Sequence, residues 1–408
     1  MKYNATPLLS SSEDSFLTKI SPTEEIIDNL KQHRREVRQA LRTTFHNLRG
    51  VFEEDRAGRW HLSTANAFPH LAEQLRKLSP AQKEALALLM PKFMSQGSFV
   101  YKTLNLPCYQ PPQQIDLDDG VYLPLDMFQE SPIISKDLFF DIVDGSLSNL
   151  ALMKNWRFEK KNTCARLIVD DLIHIDVPLY AIPRERFNAM ESFAGNESMK
   201  ASFDERSLLD KDEIYLAVRD KESWITSDPA TISEWFTGSV KFHGEVLRNV
   251  CRHLKAWRDK QFKDGGPSSI ALMTCAVATF NTETQARQGK FKPDQESEAL
   301  MLCAKHLQEQ LENGVKNPVD SSKPDLYPAK FKEHEVRDHI KAANDFAFAI
   351  DFSLKKSPSK QQTLDSIRKL FGSRVPDRTD LIVAADDVVL SNEAKTTPAP
   401  VVPNGEAG

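Results

Sequence analysis

The chain has 408 residues, a formal net charge of −5, and 40% hydrophobic against 27% charged residues. This composition excludes disorder, collagen or coiled coil as a description of the whole chain, and the length predicts two or three structural units. Five scattered cysteines without a C-x-x-C pair predict neither a disulfide framework nor a zinc site. No apolar run could cross a bilayer, and the start turns acidic where a signal peptide would be apolar. We therefore expect a cytoplasmic protein with no membrane contact.

The predicted elements begin with a long helix. Residues 21–24 carry Ser, Pro, Thr and Glu, which are typical of a helix start, and the pattern continues to about Arg49. Periodicity and turn residues then predict a helix from 79 toward 90, followed by extended pieces from 97 that include 115–125. A helix is predicted over 139–152, and paired strands are predicted over 156–180, with a turn at 170–171. After 227 the predicted structure is mostly helical. The coarse picture is an α/β unit with helices from both ends of the chain.

Two acids in the extended piece suggest a metal site. In a strand, a period of two places Asp116 and Asp118 on one face, with Ile115 and Leu117 on the other. Carboxylates at that separation suit Mg²⁺, which takes one or two of them together with substrate phosphates. The alternative is a pair of surface acids before a turn at Gly120.

Two further motifs would complete such a site. Alternation around residue 175 puts His174 and Asp176 on one face of a strand, where a third acid could complete a clamp for two metals. The alternative for Asp176 is a charge on an edge strand. Upstream, Gln96-Gly97-Ser98 offers a close backbone approach and a hydroxyl that could hold a triphosphate. The sequence contains neither a P-loop nor a Rossmann glycine motif.

The order of these motifs resembles a known family. QGSFVYKTLNLP, IDLDDGVYLP, TCARL, HIDVPLYAIP, KAWRD and GGPSSIALM are similar to motifs of the DncV type within the bacterial CD-NTase (cGAS/DncV-like nucleotidyltransferase) family. The resemblance spans about Pro22 to Asp386. It implies an α+β fold, in which a polymerase β-like nucleotidyltransferase core with a mixed sheet packs against an oligoadenylate-synthase-like helical domain. The implied segments are an N-terminal tail over 1–20, bracing helices over 21–94, the nucleotidyltransferase core over 95–226, the helical domain over 227–386 and a flexible tail over 387–408.

The resemblance also implies an activity. Members of this type join ATP and GTP by two successive 3′-hydroxyl attacks on α-phosphorus, which would give 3′,3′-cyclic GMP-AMP. Asp116, Asp118 and Asp176 would hold two Mg²⁺ ions, with Mn²⁺ as a substitute, and Asp176 would also activate the hydroxyl. Nucleotide contacts carried over from the family are Gln96, Gly97, Ser98, Tyr101, Arg166, Ser227, Lys255, Ser268 and Ser269. A core position for Tyr101 and a helix cap for Ser227 are the alternatives.

Basic residues and the end of the chain suggest further partners. Arg34, Arg38 and Arg42 share one helix face, which is either solvated, paired with the core, or a regulatory anion pocket. The neighbouring Lys92 and Met94 replace an Arg and a Trp of the family, so we do not carry that ligand across. In operons of this family the terminal glycine, here Gly408, is often conjugated by an E1/E2-like enzyme. The product would reach an effector protein in anti-phage (CBASS) defence.

Two rival functions follow from the same residues. A synthase of another cyclic di- or trinucleotide, or of a linear oligonucleotide, could use the same fold, because the orientation of the first linear product decides the outcome. A nucleic-acid-binding or scaffold protein that has lost catalysis is the rival from another class. The retained acids and the acidic net charge disfavour it and argue against nucleic acid as a partner.

Overall fold

The computed structural model describes residues 1–62, 71–127, 136–194, 214–221, 224–227 and 229–385, without the side chains of 191–194. The helices are α1 Phe16–Ile20, α2 Glu24–Gly50, α3 Ala72–Lys77, α4 Pro80–Ala87, α5 Gly97–Tyr101, α6 Lys136–Lys154, α7 Arg184–Ala194, α8 Pro229–His243, α9 Glu245–Gln261, α10 Ser269–Ala286, α11 Glu296–Glu312, α12 Glu333–Asp351 and α13 Lys360–Phe371. The strands are β1 Tyr3–Asn4, β2 Phe52–Glu54, β3 Trp60–Leu62, β4 Lys92–Ser95, β5 Ile115–Pro124, β6 Arg157–Lys160, β7 Cys164–Ile168, β8 Ile173–Ile182, β9 Tyr215–Leu216, β10 Ile225–Thr226 and β11 Val383–Ala384.

The expected long first helix is confirmed, because α2 begins where its capping chemistry lies. The Thr23 side chain accepts a hydrogen bond from the backbone amide of Ile26, and Glu24 and Glu25 occupy the first turn. The second predicted helix, α4, likewise begins at a capping box formed by Ser79 and Gln82. Local capping residues therefore set both helix starts.

A mixed seven-stranded sheet contains the strands that carry the expected acids. Its strand order is β10-β9-β8-β5-β4, with β7 paired to β8 and β6 to β7. The pair β5 and β8 is parallel, whereas the other pairs are antiparallel. The predicted strands over 156–180 are confirmed, and the turn at 170–171 joins β7 to β8.

The two faces of this sheet differ in character. On one face, Leu117, Val121, Ile175 and Val177 are fully buried in a cluster that also contains Leu41 of α2 and residues of α6. The opposite face carries polar side chains at the start of β5 and β8. Alternation along the two parallel strands therefore separates the hydrophobic core from the candidate site.

The described chain divides into two compact units. One contains 20–266 and 316–326, and the other contains 1–19, 267–315 and residues from 327 onward. The sheet of β4 to β10 lies entirely in the first unit, and α10 to α13 lie in the second. The domain boundaries expected from the sequence stay a prediction.

The first 20 residues differ from the tail expected for them. β1 pairs antiparallel with β11, and Leu8, Leu9 and Phe16 have no exposed surface. These apolar side chains remove enough surface from water to hold the segment in the second unit. The predicted C-terminal tail over 387–408 lies outside the described residues. None of the helices in the described ranges combines the length and the apolar character that crossing a membrane would require.

Candidate active site

Four polar side chains share one face of the parallel strand pair. Asp116 and Asp118 lie on β5, and in register they are paired with His174 and Asp176 on β8. The strand alternation predicted from the sequence places all four on the face opposite the core. Ligand atoms of Asp116, His174 and Asp176 lie within 4.8 Å of one another. The structure thus brings two of the three expected acids, Asp116 and Asp176, together with a histidine.

The fourth side chain, Asp118, is pressed against the Gly-Ser loop, residues 96–98, which forms the entry into α5. Gly97 adopts a left-handed φ of +65°, and a Cβ built there would lie 2.1 Å from Oδ2 of Asp118. The backbone amide of Gln96 donates to the Asp118 carbonyl at 3.0 Å. Only a glycine fits between this loop and the carboxylate. The Gly-Ser loop and the acids therefore form one site.

The charges of this cluster affect Asp118 most. Loss of surrounding water, followed by the negative charges of Asp116 and Asp176, raises the pKa of Asp118 well above its ordinary value. Such repulsion is relieved when a divalent cation binds. Asp116 Oδ1 and both ring nitrogens of His174 are buried without a hydrogen-bond partner, although Nε2 lies 3.0 Å from Oδ1. Oxygen ligands with free lone pairs in a strongly acidic cluster fit a divalent cation.

Arg166 forms an ion pair with Asp176, the third expected acid. Its Nε and Nη2 each donate to an oxygen of Asp176 at 2.6 Å, so the guanidinium forms a bidentate pair with this carboxylate. β7 and β8 place the two residues directly opposite each other. The pairing raises the pKa of Arg166. Asp176 is therefore neutralised by an arginine in this structure, and it is not an acid on an exposed edge strand.

The side chain of Gln96 has an internal role. Its amide nitrogen donates to the Tyr122 hydroxyl at 2.7 Å, and its amide oxygen accepts from the Tyr180 hydroxyl at 3.0 Å. The two tyrosine rings stack with centroids 4.9 Å apart. The side-chain amide that was expected to contact a nucleotide is therefore hydrogen-bonded to two tyrosines of the sheet, and these bonds hold the Gly-Ser loop in place.

The basic face of α9 contacts the segment after α5. Lys255 Nζ donates to the Thr103 carbonyl at 2.6 Å, and Arg248 Nε donates to the Tyr101 carbonyl at 3.1 Å. Lys255 is buried, and desolvation, reinforced by the charge of Arg258, lowers its pKa to about 8. The expected phosphate lysine thus lies beside α5, which carries Ser98.

The remaining expected contacts occupy different places. The Tyr101 ring meets Phe236 edge to face at 5.8 Å, and the Ser227 amide donates to the Ile214 carbonyl. Ser268 belongs to the second unit and caps α10 by accepting from the Ala271 amide, and Ser269 is the first residue of that helix. Gly408 lies outside the described residues.

A turn at Gly120, the alternative for the acids, is wrong. β5 continues through Gly120 to Pro124, so the residue that follows Asp118 lies inside the sheet. Asp119 is fully buried and pairs with Arg38. The other members of the basic row contact Ser95 and the Phe93 ring, through Arg34 and Arg42 respectively. The arginine row therefore faces the protein.

Sequence reasoning missed His174 as a member of the cluster. Its alternation with Asp176 was visible, and the signal that could have identified it is the parallel pairing of the two strands, which sets His174 opposite Asp116. It offered pairing with the core as one interpretation of Arg38, but it did not identify the partner, Asp119, which is distant in sequence.

Comparisons with known proteins agree along nearly the whole chain. Residues 91–180 match the family described as cyclic GMP-AMP synthase DncV-like, nucleotidyltransferase domain, and residues 244–385 match cyclic GMP-AMP synthase, C-terminal domain. The chain is 33% identical to a cyclic GMP-AMP synthase of Escherichia coli, with 92% of each chain covered. It is 31% identical to one of Vibrio cholerae serotype O1, with 94% of each covered.

Solved structures similar to this chain belong to the same family of synthases. A variant of the Vibrio cholerae di-nucleotide cyclase DncV in complex with ATP, GTP and 5MTHFGLU2 has a TM-score of 0.80 and 29% identity, covering 94% of this chain and 100% of that chain. The Vibrio cholerae enzyme with the linear intermediate 5′ pppA(3′,5′)pG has a TM-score of 0.79 and 30% identity, covering 94% of this chain and 99% of that chain. The α+β nucleotidyltransferase fold expected from the sequence is confirmed.

Proposed function

This chain is a nucleotidyltransferase of the DncV-like cyclic GMP-AMP synthase family, and we propose that it joins ATP and GTP into a cyclic dinucleotide, with 3′,3′-cyclic GMP-AMP as the expected product. The observation that carries the proposal is the face shared by Asp116, Asp118 and Asp176, against which Gly97 closes the loop. Relatives of this chain are cyclic GMP-AMP synthases, and related structures hold ATP, GTP or a linear dinucleotide.

The reaction consists of two equivalent displacements. In each, a 3′-hydroxyl oxygen attacks an α-phosphorus, the bond to pyrophosphate breaks, and the hydroxyl proton is transferred to a base. Two displacements release two pyrophosphates and close the ring. From the family resemblance, Asp176 is the proposed base, and it lies on the same face as the other two acids. Arg166 would leave Asp176 for the nucleotide, so that the carboxylate becomes free to accept a proton.

The proposed cofactor is a pair of Mg²⁺ ions, for which Mn²⁺ could substitute. Asp116, Asp118 and Asp176 would hold them, and the close grouping of Asp116 with Asp176 and the raised pKa of Asp118 support this assignment. When bound, the ions neutralise charge on the phosphates and make the attacking hydroxyl more acidic. Gly97 and Ser98 would hold the donor triphosphate, with Lys255 directed at the same phosphates. Ser227, Ser268 and Ser269 remain proposed nucleotide contacts.

The proposal extends to the biological role. From the family resemblance, the product would act as a second messenger read by an effector protein in bacterial anti-phage defence, in the cytoplasm. The terminal Gly408 would be the site at which an E1/E2-like enzyme conjugates the synthase. The support for this part is the resemblance alone.

The test is product analysis with purified protein. ATP, GTP, CTP and UTP are supplied singly and in pairs with Mg²⁺, followed by phosphatase treatment and mass spectrometry. A phosphatase-resistant product that requires both ATP and GTP supports the proposal. Such a product from ATP alone, or a linear product sensitive to phosphatase, would instead establish the rival synthase activities.

Two variants accompany this experiment. Asp118→Asn should abolish product without loss of fold, because removing one of several repelling carboxylates does not destabilise the cluster. Asp126→Asn is the matched control: Asp126 lies outside the site and is half exposed beside Arg184. Turnover that survives in Asp118→Asn would refute the metal assignment.

A further inference from the structure

A carboxylate is buried on the hydrophobic face of β5, the strand that carries Asp116 and Asp118. The face of β5 that carries Leu117 and Val121 also carries Asp119, and Asp119 has no exposed surface. Burying a charge among apolar side chains is unfavourable unless the charge is paired and hydrogen-bonded. Replacing such a buried ion pair as a whole by well-packed apolar residues is often neutral or even stabilising. The position of Asp119 therefore calls for a role beyond packing.

One arginine of α2 pairs with this acid. Arg38 Nε donates to Oδ2 of Asp119 at 2.7 Å, and Nη2 donates to Oδ1 at 2.5 Å. The same Nη2 donates to Oγ of Ser95 at 3.2 Å, and this hydroxyl donates to Asp119 at 2.9 Å. Arg38, Asp119 and Ser95 thus form a triangle of hydrogen bonds, and Nη1 of Arg34 donates a further bond to the same Ser95 hydroxyl at 2.9 Å.

The triangle lies one residue away from each half of the active site. Ser95 directly precedes the loop 96–98, and Asp119 directly follows Asp118. The two residues face each other across β4 and β5. Arg38 consequently links the strand that carries the acid to the strand that leads into the triphosphate loop.

We propose that Arg38 is a positioning residue for the reaction. Its fork fixes Ser95 against Asp119, and this sets the distance between the loop 96–98 and the carboxylate of Asp118. The expected effect of Arg38 on the reaction rate rests on the proposed function. A displacement of about 1 Å at reacting groups can cost on the order of 100-fold in rate, so such a link matters even though it touches no substrate.

The variant that separates positioning from simple charge pairing is Arg38→Lys. Lysine keeps the positive charge beside Asp119 but lacks the planar fork that bonds both oxygens and Ser95. We expect Tm to fall less than in Arg38→Gln, while kcat falls about 10- to 100-fold with little change in KM. In the nucleotide-free protein, hydrogen exchange at the backbone amide of Gln96, which donates to the Asp118 carbonyl, should become about tenfold faster.

Arg35→Lys is the matched control. Arg35 is exposed on the side of α2 that faces a groove lined by α6, so the same substitution there should leave exchange at Gln96 and kcat unchanged. A double variant with Asp119→Asn adds a second readout, because residues that act through one link have non-additive effects. Arg38→Lys and Asp119→Asn together should cost no more in kcat than either alone.

The outcomes separate the two proposals. Unchanged exchange at Gln96 in Arg38→Lys overturns the positioning role, whatever happens to activity. Faster exchange throughout the chain, with a matching fall in Tm, also overturns it, because the role would then be structural. If wild-type protein forms no cyclic product, the proposed function fails, and the exchange rate at Gln96 alone decides the role of Arg38.

Discussion

Oδ2 of Asp118 occupies the space that a side chain at Gly97 would require. A Cβ at Gly97 would lie 2.1 Å from this oxygen, and the backbone there has a φ of +65°. Gly97→Ala should therefore push the loop away from the carboxylate and strain the backbone. We expect product formation to fall about 100-fold or more, with ATP binding also weakened. Initial rates and calorimetric titration with ATP measure both effects.

Gly238→Ala is the control for this substitution. Gly238 lies in α8, and a Cβ there meets nothing within 4 Å. Alanine suits a helix interior better than glycine, so this variant should keep full activity and gain slight stability. If Gly97→Ala were as active as the control, the close contact between loop and acid would have no part in the reaction.

Arg166→Gln should strengthen metal binding in the nucleotide-free protein. The guanidinium occupies both oxygens of Asp176 and adds a positive charge beside the cluster. Removing that charge frees the carboxylate, and we expect Mn²⁺ to bind on the order of tenfold more tightly. Electron paramagnetic resonance of Mn²⁺ reports this without any turnover. Product formation should fall in the same variant, because Arg166 is also a proposed nucleotide contact.

Arg157→Gln provides the comparison for this measurement. Arg157 is exposed on β6, the strand next to the one that carries Arg166, so it tests the loss of an arginine away from the carboxylates. Equal Mn²⁺ affinities in the wild type and in Arg166→Gln would mean that Arg166 does not compete with the cation.

Lys255 makes stability depend on pH. Burial lowers its pKa from 10.5 to about 8, so between these values the unfolded chain holds a proton that the folded protein has released. Where the unfolded state binds more protons, stability rises with pH. The unfolding free energy of the wild type, relative to Lys255→Met, should thus increase from pH 8 to pH 10.5. Urea unfolding at both ends of this range measures the difference.

Exposed Lys263 supplies the control. The difference between the wild type and Lys263→Met should stay constant over the same range. A constant difference for Lys255→Met as well would show that the buried ammonium keeps its proton throughout.

Local pattern was enough to predict the acidic face. Alternation of Ile115 with Asp116, and of Ile175 with Asp176, follows from the two-residue period of a strand, and both strands are in the structure. The capping residues of α2 were equally local. These features depend on neighbours in sequence, which is why the sequence alone indicated them.

Contacts between distant residues could not be predicted in this way. Arg38 reaches Asp119 across 81 positions, and Gln96 reaches Tyr180 across 84. Such pairs depend on how the helix and strands pack, and each arginine or glutamine had several plausible partners. For the same reason the sequence did not predict the structure of the N-terminal segment, because its strand β1 pairs with β11 at the other end of the described chain.

The last prediction concerns that N-terminal segment. Phe16 is fully buried, and its ring centroid lies 5.0 Å from that of Phe371 in α13. Phe16→Ala should lower the free energy of unfolding by about 3–5 kcal/mol, from lost burial and the cavity that remains. Urea unfolding followed by circular dichroism measures the loss. Phe348→Ala is the matched control, because Phe348 of α12 is 73% exposed and should cost little. Equal losses in the two variants would mean that residues 1–20 behave as the tail expected from the sequence.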